Sequence, residues 1–187
     1  MDFGPHSQRE LIMRALRSLV VFAFVLTPAL STAQGNPVSN TARALAKEAS
    51  ANLLAAAQAM PADKYGFKPT PAQWTFGELI VHIEGDNRIT CAAISGATPG
   101  TEPKLAPTDP KEKLVAALQR SLAFCDAALA QVTDAKLADS VSYYGHSAPR
   151  AAAVLGLVVD WSDHYGQQAV YLRLNGVLPP SARQGGM

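Results

Sequence analysis

An all-α domain built as a four-helix bundle is the fold this sequence predicts, and three observations carry the prediction. Alanine, the strongest helix former, supplies 33 of the 187 residues, whereas aromatic residues make up only 7%. Four segments repeat their apolar residues with the period of about 3.6 that marks a helix. No run alternates apolar and polar residues through several β-branched positions, as a half-buried strand does.

The first 33 residues read as a removable leader. Arg9, Arg14 and Arg17 precede an apolar run from Leu19 to Leu30, and Ser31-Thr32-Ala33 supplies the small residues that a signal peptidase reads. The run is about 12 residues long and is broken by Thr27 and Pro28, well short of the roughly 20 needed to span a bilayer. No cysteine stands directly after the expected cleavage point near Ala33, where a lipid anchor would need one. The expectation is a periplasmic or secreted protein with no stable membrane anchor, comprising a signal peptide (1–33) and one domain (34–187). The 154 residues of that domain carry 13 Lys plus Arg against 13 Asp plus Glu. That balance leaves no electrostatic grip for nucleic acid.

The spacing predicts helix one over about Asn40–Met60, with Leu45, Ala49, Leu53, Ala56 and Met60 on one stripe and Pro61 as its stop. Helix two opens on Thr75-Phe76-Gly77-Glu78, which has the form of a capping box. It buries Phe76, Leu79, Ile80, Ile83, Asn87, Thr90, Cys91 and Ile94, and Gly96 and Pro99 end it. Helix three starts at Asp109-Pro110 and turns Leu114, Leu118, Leu122, Cys125, Leu129 and Val132 inward. Helix four runs over about Ala148–Asn175, with Leu155, Val158, Trp161, Tyr165 and Leu172 apolar and Gly176 just beyond its end. The connections, about 15, 12 and 15 residues, are long for a bundle. They suit crossing an end, roofing a cavity or joining helices that are not neighbours.

Three histidines follow the leader: His82, His146 and His164. His82 lies beside the apolar stripe of helix two. Asp160 and His164 are four residues apart on helix four and so share a face, with Cβ atoms about 5–6 Å apart. Two ligands from one helix and one from a facing helix would hold a divalent cation and leave positions open. A hydrogen-bonded core histidine and a surface Asp–His pair explain the same spacing. Asp86 lies one turn beyond His82, while Asp163 points away from Asp160 and is read as solvated. Trp74 and Trp161 are read as core or pocket wall.

The segments PADKYGFKPTPAQWTFGELIVHI, CAAISG, SLAFCDAAL and DHYGQQAVYLRLNGVLPP together resemble the DinB superfamily of four-helix bundles, over about residues 38–181. The resemblance implies an up-down-down-up bundle and a divalent metal held by three histidines, one on helix two and two spaced His-x-x-x-His on helix four. His82 matches the first and His164 the last, and Asp160 stands where the family usually has the middle histidine. The implied metal set is therefore His82, Asp160 and His164, suited to zinc, nickel, manganese or iron, with Asp86, His146 and Gln167 as candidates to stand behind the ligands and orient them. His146 would serve as a fourth ligand or proton carrier, against the plainer reading of an exposed loop residue. Characterised branches include thiol transferases and isomerases, and relatives often form dimers. The functional expectation is a metal-dependent enzyme, hydrolase-like or thiol-transferase-like, acting on an unknown small molecule, with a homodimer among its expected assemblies. The alternatives are a non-catalytic bundle that binds a metal or small ligand, and a structural interaction domain.

Cys91 and Cys125 are the only cysteines. Each falls on the inward stripe of its helix, so the two are expected to face each other and, in an oxidising compartment, to form a disulfide. Two buried free thiols are the alternative.

Overall fold

The computed structural model describes residues 35–98 and 104–184; the leader lies outside them, as does Pro99. Four long helices are present: α1 (Pro37–Ala59), α2 (Phe76–Ser95), α3 (Lys111–Ala130) and α4 (Arg150–Leu174). A short α5 (Pro180–Gln184) follows, and a two-stranded hairpin, β1 (Ser140–Tyr143) and β2 (His146–Pro149), precedes α4. No described helix is long and apolar enough to cross a membrane.

Side-chain pairings fix the helix directions. Lys111 Nζ, at the start of α3, donates to the carbonyls of Gln58 and Met60 at the end of α1, while Arg43 near the start of α1 donates to Leu129 and Val132 at the end of α3. These two helices are antiparallel. Asn87 meets Ser121 and Cys91 meets Cys125, a constant offset of 34, so α2 and α3 are parallel. Trp161 meets Asn87 and Arg150 meets the Ile94 carbonyl, so α4 runs against α2. The result is the up-down-down-up order. Helix α1 packs against α3 and α4, and α2 packs against the same two, which puts α1 and α2 on one diagonal. Long connections follow: those after α1 and α3 cross a diagonal, and the one after α2 must return the helix length, about 30 Å for 20 residues.

The predicted stripes of α2 and α3 are buried at every position named. The capping box is present, with Glu78 N donating to Thr75 Oγ1 at 3.1 Å and Thr75 N donating to Glu78 at 2.6 Å. Gly96 closes α2 with φ of 78°. Two apolar residues, Leu45 of the predicted first stripe and Leu155 of helix four, stay outside the core. Leu45 is 51% exposed and Leu155 50%, because α1 buries its alanines instead (Ala42, Ala46, Ala49, Ala56) and α4 is rotated to bury Val154, Leu157, Trp161, His164, Gln168 and Leu172. Small residues on α1 let the neighbouring backbones come close, so the larger side chain is the one left outside.

The hairpin corrects the expectation of a plain connection of about 15 residues between helices three and four. Tyr144 and Gly145 both have positive φ (48° and 78°), the backbone of a two-residue turn that matches strand twist. Ser142 pairs with Ser147 and Tyr143 with His146. The strands are short and mostly polar, so period-2 burial gave no signal.

Helix α1 is capped from a distance. Asn36 makes no side-chain cap, and the Asp134 carboxylate accepts from Val38 N (3.1 Å) and Ser39 N (2.8 Å). Partial desolvation works against the charged form, but the Ser39 and Val38 bonds and Arg43 outweigh it and hold the Asp134 pKa below its ordinary value. A lowered folded-state pKa gives stability that is complete above the unfolded value and lost as pH falls through the folded one. Thermal melts in acid should therefore show a smaller drop for Asp134→Ala than for the wild type, with the variant already weaker at neutral pH; parallel acid profiles would refute the assignment.

Candidate metal centre

Two facing ladders build the site. On α2, His82, Asp86 and Thr90 repeat at i, i+4; on α4, Gly156, Asp160, His164 and Gln168 do the same. Because the helices are antiparallel, His82 faces His164. Their rings lie 4.9 Å apart, edge to face. His82 Nε2 is 3.1 Å from Asp86 Oδ2, and His164 Nε2 is 3.2 Å from Asp160 Oδ1.

Donor atoms of His82, Asp86 and His164 lie within 4.8 Å of one another, a cluster capable of holding a metal ion. The sequence expectation named Asp160 as the carboxylate ligand and Asp86 as its neighbour; the geometry gathers Asp86 into the cluster and leaves Asp160 against His164. Two donors each about 2.1 Å from one cation sit roughly 3.0–3.4 Å apart, so the His82–Asp86 spacing already suits an ion. His164 is buried; its Nδ1 makes no hydrogen bond with a described residue, and its Nε2 has the Asp160 carboxylate beside it. Burial pulls its pKa down, but the Asp160 carboxylate, with Asp163 and Asp86 further off, prevails and raises it above the ordinary value. A buried imidazole aimed at carboxylates is an environment that welcomes positive charge. The residues present therefore suit a divalent cation.

The neighbours of this cluster are ordered by a buried polar network. The Trp161 indole donates to Asn87 Oδ1 at 2.6 Å, and Asn87 Nδ2 donates to Ser121 Oγ at 2.9 Å. One asparagine thus ties α2, α3 and α4 beside the candidate cluster, and Trp161 is core. Trp74 is half exposed, and its ring lies 4.6 Å from that of His82. Its carbonyl accepts from Tyr171 of α4.

Gln167, expected beside the site, donates instead to Asp163 Oδ2 on the outer side of α4 at 2.7 Å. The inward amide is Gln168, fully buried and with neither polar atom hydrogen-bonded to a described residue. The helical repeat through Trp161, His164 and Leu172 selects 168 rather than 167, so the signal was present. His146, expected beside the site, is exposed at the start of β2 and faces Tyr143 across the hairpin. The hairpin contribution comes from Tyr143 and Tyr144. Tyr144 Oη lies 3.4 Å from Thr90 Oγ1, and the Tyr143 hydroxyl sits where a Cβ on Gly156 would meet it at 2.7 Å.

Cys91 and Cys125 form the expected disulfide, with Cα atoms 5.0 Å apart. It joins α2 to α3 one turn from Asn87.

Among curated proteins, no sequence matches this chain. Solved structures do. A DinB-like protein from Bacillus cereus ATCC 10987 matches with a TM-score of 0.58 at 17% identity, over 71% of this chain and 89% of its own. A DinB-like protein from Bacillus subtilis gives 0.59 at 20%, over 73% and 92%. A mutant of the mycothiol-dependent maleylpyruvate isomerase gives 0.55 at 15%, over 68% of this chain and 59% of that one. At these identities the likeness establishes the fold. The sequence model of the DinB superfamily matches residues 45–168, two thirds of the chain and a span that includes His82, Asp86, Asp160 and His164. This chain belongs to the DinB superfamily.

Proposed function

We propose that the protein is an exported, divalent-metal-dependent enzyme that acts on a small molecule, with hydrolysis ahead of thiol transfer. The observation that carries the reading is the convergence of His82, Asp86 and His164 from two helices, with His164 buried and its Nδ1 not hydrogen-bonded to any described residue. Imidazole with carboxylate suits zinc, nickel, manganese or iron, and the carboxylate shifts preference toward harder ions than three histidines would. When bound, the cation would supply Lewis acidity toward a carbonyl or thiol. The chain's own part is to orient: Asp160 fixes His164, the Asn87 network fixes the level of α2 against α4, and Trp74 covers one end of His82.

Thiol transfer would need a thiol from outside, because Cys91 and Cys125 are bonded to each other. Export through the Arg9–Ala33 leader would separate the protein from cytoplasmic thiols, which favours hydrolysis. A second reading, a bundle that binds metal or a small ligand without turnover, is favoured by Asp160 standing where the family usually carries a histidine. A homodimer is compatible with both readings.

The test is elemental analysis of untagged protein purified from its native compartment, followed by assays of esters, amides and electrophiles with and without chelator. Stoichiometric metal and chelator-sensitive turnover are expected. Metal without turnover supports the binding reading, and a metal-free native protein overturns both. Intact mass beginning near Gln34 is expected, and a retained Leu19–Leu30 run would reverse the export proposal.

A further inference from the structure

The hairpin places two phenols over the seam between α2 and α4, one turn past the carboxylates of the candidate metal cluster. Successive strand residues point to opposite faces. Tyr144, however, has φ of 48°, and this left-handed residue turns its ring back beside that of Tyr143, with centroids 4.8 Å apart. Tyr143 is lodged against α4 at Gly156, where any Cβ would meet its hydroxyl. Tyr144 reaches toward Thr90 on α2 but remains half exposed, and its 3.4 Å approach to Thr90 Oγ1 is loose. Along α2 the order is therefore Trp74 against His82, then Asp86, then Thr90 with Tyr144. The partly exposed side chains of His82, Asp86 and Asp160 lie between an indole at one end and two phenols at the other.

We propose that Tyr144 is a ligand-binding hydrogen-bond donor, steadied by Tyr143, for a small molecule whose carbonyl or carboxylate oxygen lies at the His82–Asp86–His164 cluster. This inference rests on the metal reading. Burial first, with Asp86 and Asp160 adding to it and Thr90 opposing, raises the pKa of both phenols above the ordinary value, so both carry protons and offer donors beside an acidic, otherwise donor-poor cluster. The left-handed conformation at a bulky residue is disfavoured, and holding it here is the structural cost of bringing the second hydroxyl to the seam.

The probe is acetohydroxamate, an oxygen chelator, titrated into Co2+-loaded protein and followed in the visible bands of the metal. Tyr144→Phe keeps the ring and removes only the donor. It should weaken acetohydroxamate about tenfold and leave Co2+ affinity unchanged, and Lys47→Ala, at an exposed position of α1, should change neither. Equal acetohydroxamate affinity in wild type and Tyr144→Phe, or no binding of acetohydroxamate to the loaded wild type, overturns this inference while the metal reading stands. Failure of the wild type to bind Co2+ overturns both.

Discussion

Protein carrying His164→Ala should lose divalent-metal affinity by about a hundredfold or more while keeping its helical content. Loss of a group that merely orients a ligand costs 10–100-fold, and His164 is itself a member of the cluster and its most buried one. The fold should survive because the imidazole's polar neighbour, the Asp160 carboxylate 3.2 Å from Nε2, is partly exposed and can turn to water when the ring is removed. Equilibrium dialysis with zinc and with manganese, alongside circular dichroism, reads both properties; equal metal in variant and wild type would remove the site. The two carboxylates separate in the same experiment. Asp86→Asn should approach the loss seen for His82→Ala, whereas Asp160→Asn should show the smaller loss of a positioning group.

The second large effect is on stability. Converting both Cys91 and Cys125 to alanine should destabilise the protein by about 3–4 kcal/mol, the chain-entropy contribution of a cross-link closing a loop of this length, for a sequence separation of 34. For a domain of this size that corresponds to a fall in Tm of roughly 10 °C. Both sulfurs are fully buried, so lost packing adds to the entropy effect. Calorimetry of oxidised, reduced and doubly substituted protein measures the loss, and thiol titration of the unfolded, unreduced chain should find no free thiol. Two titratable thiols, or unchanged Tm, would refute the cross-link's role.

The parts of this architecture that showed in the sequence are those set by local rules. Thr75 to Glu78 obey a capping motif, and the α2 and α3 stripes obey the helical repeat with bulky residues that have nowhere else to go. Cys91 and Cys125 followed from the same stripes. Helix four was harder because apolar residues occur around its whole circumference. Leu155 and Val159 are exposed while Gln168 and His164 are buried, and only the polar pair His164 and Gln168, in phase with Trp161, marks the inward side. For the site, His82 and His164 were legible from helix position. The choice between Asp86 and Asp160 depends on how far α2 and α4 slide past each other, which the Asn87–Trp161 bond sets and no local pattern encodes. Tyr143 and Tyr144 were hidden for a further reason: the hairpin's two strands are four residues each and none of those residues is fully buried, too little to leave a clear periodic trace.

The parallel pairing of α2 with α3 also bears on how quickly the chain finds its structure. In an up-and-down bundle each helix can dock on the next through a short turn, so early contacts close small loops. Here the packed pairs are α1 with α3, α1 with α4, α2 with α3 and α2 with α4, and of these only α2 and α3 are consecutive. Even that pair must send the chain back along a full helix before contact begins, and α1 waits for α4, more than 100 residues later in the sequence. Nearly every contact between the long helices therefore closes a long loop. Contact order of this kind slows folding, so this bundle is expected to fold well behind an up-and-down bundle of equal length, despite being built almost entirely from fast-forming helices.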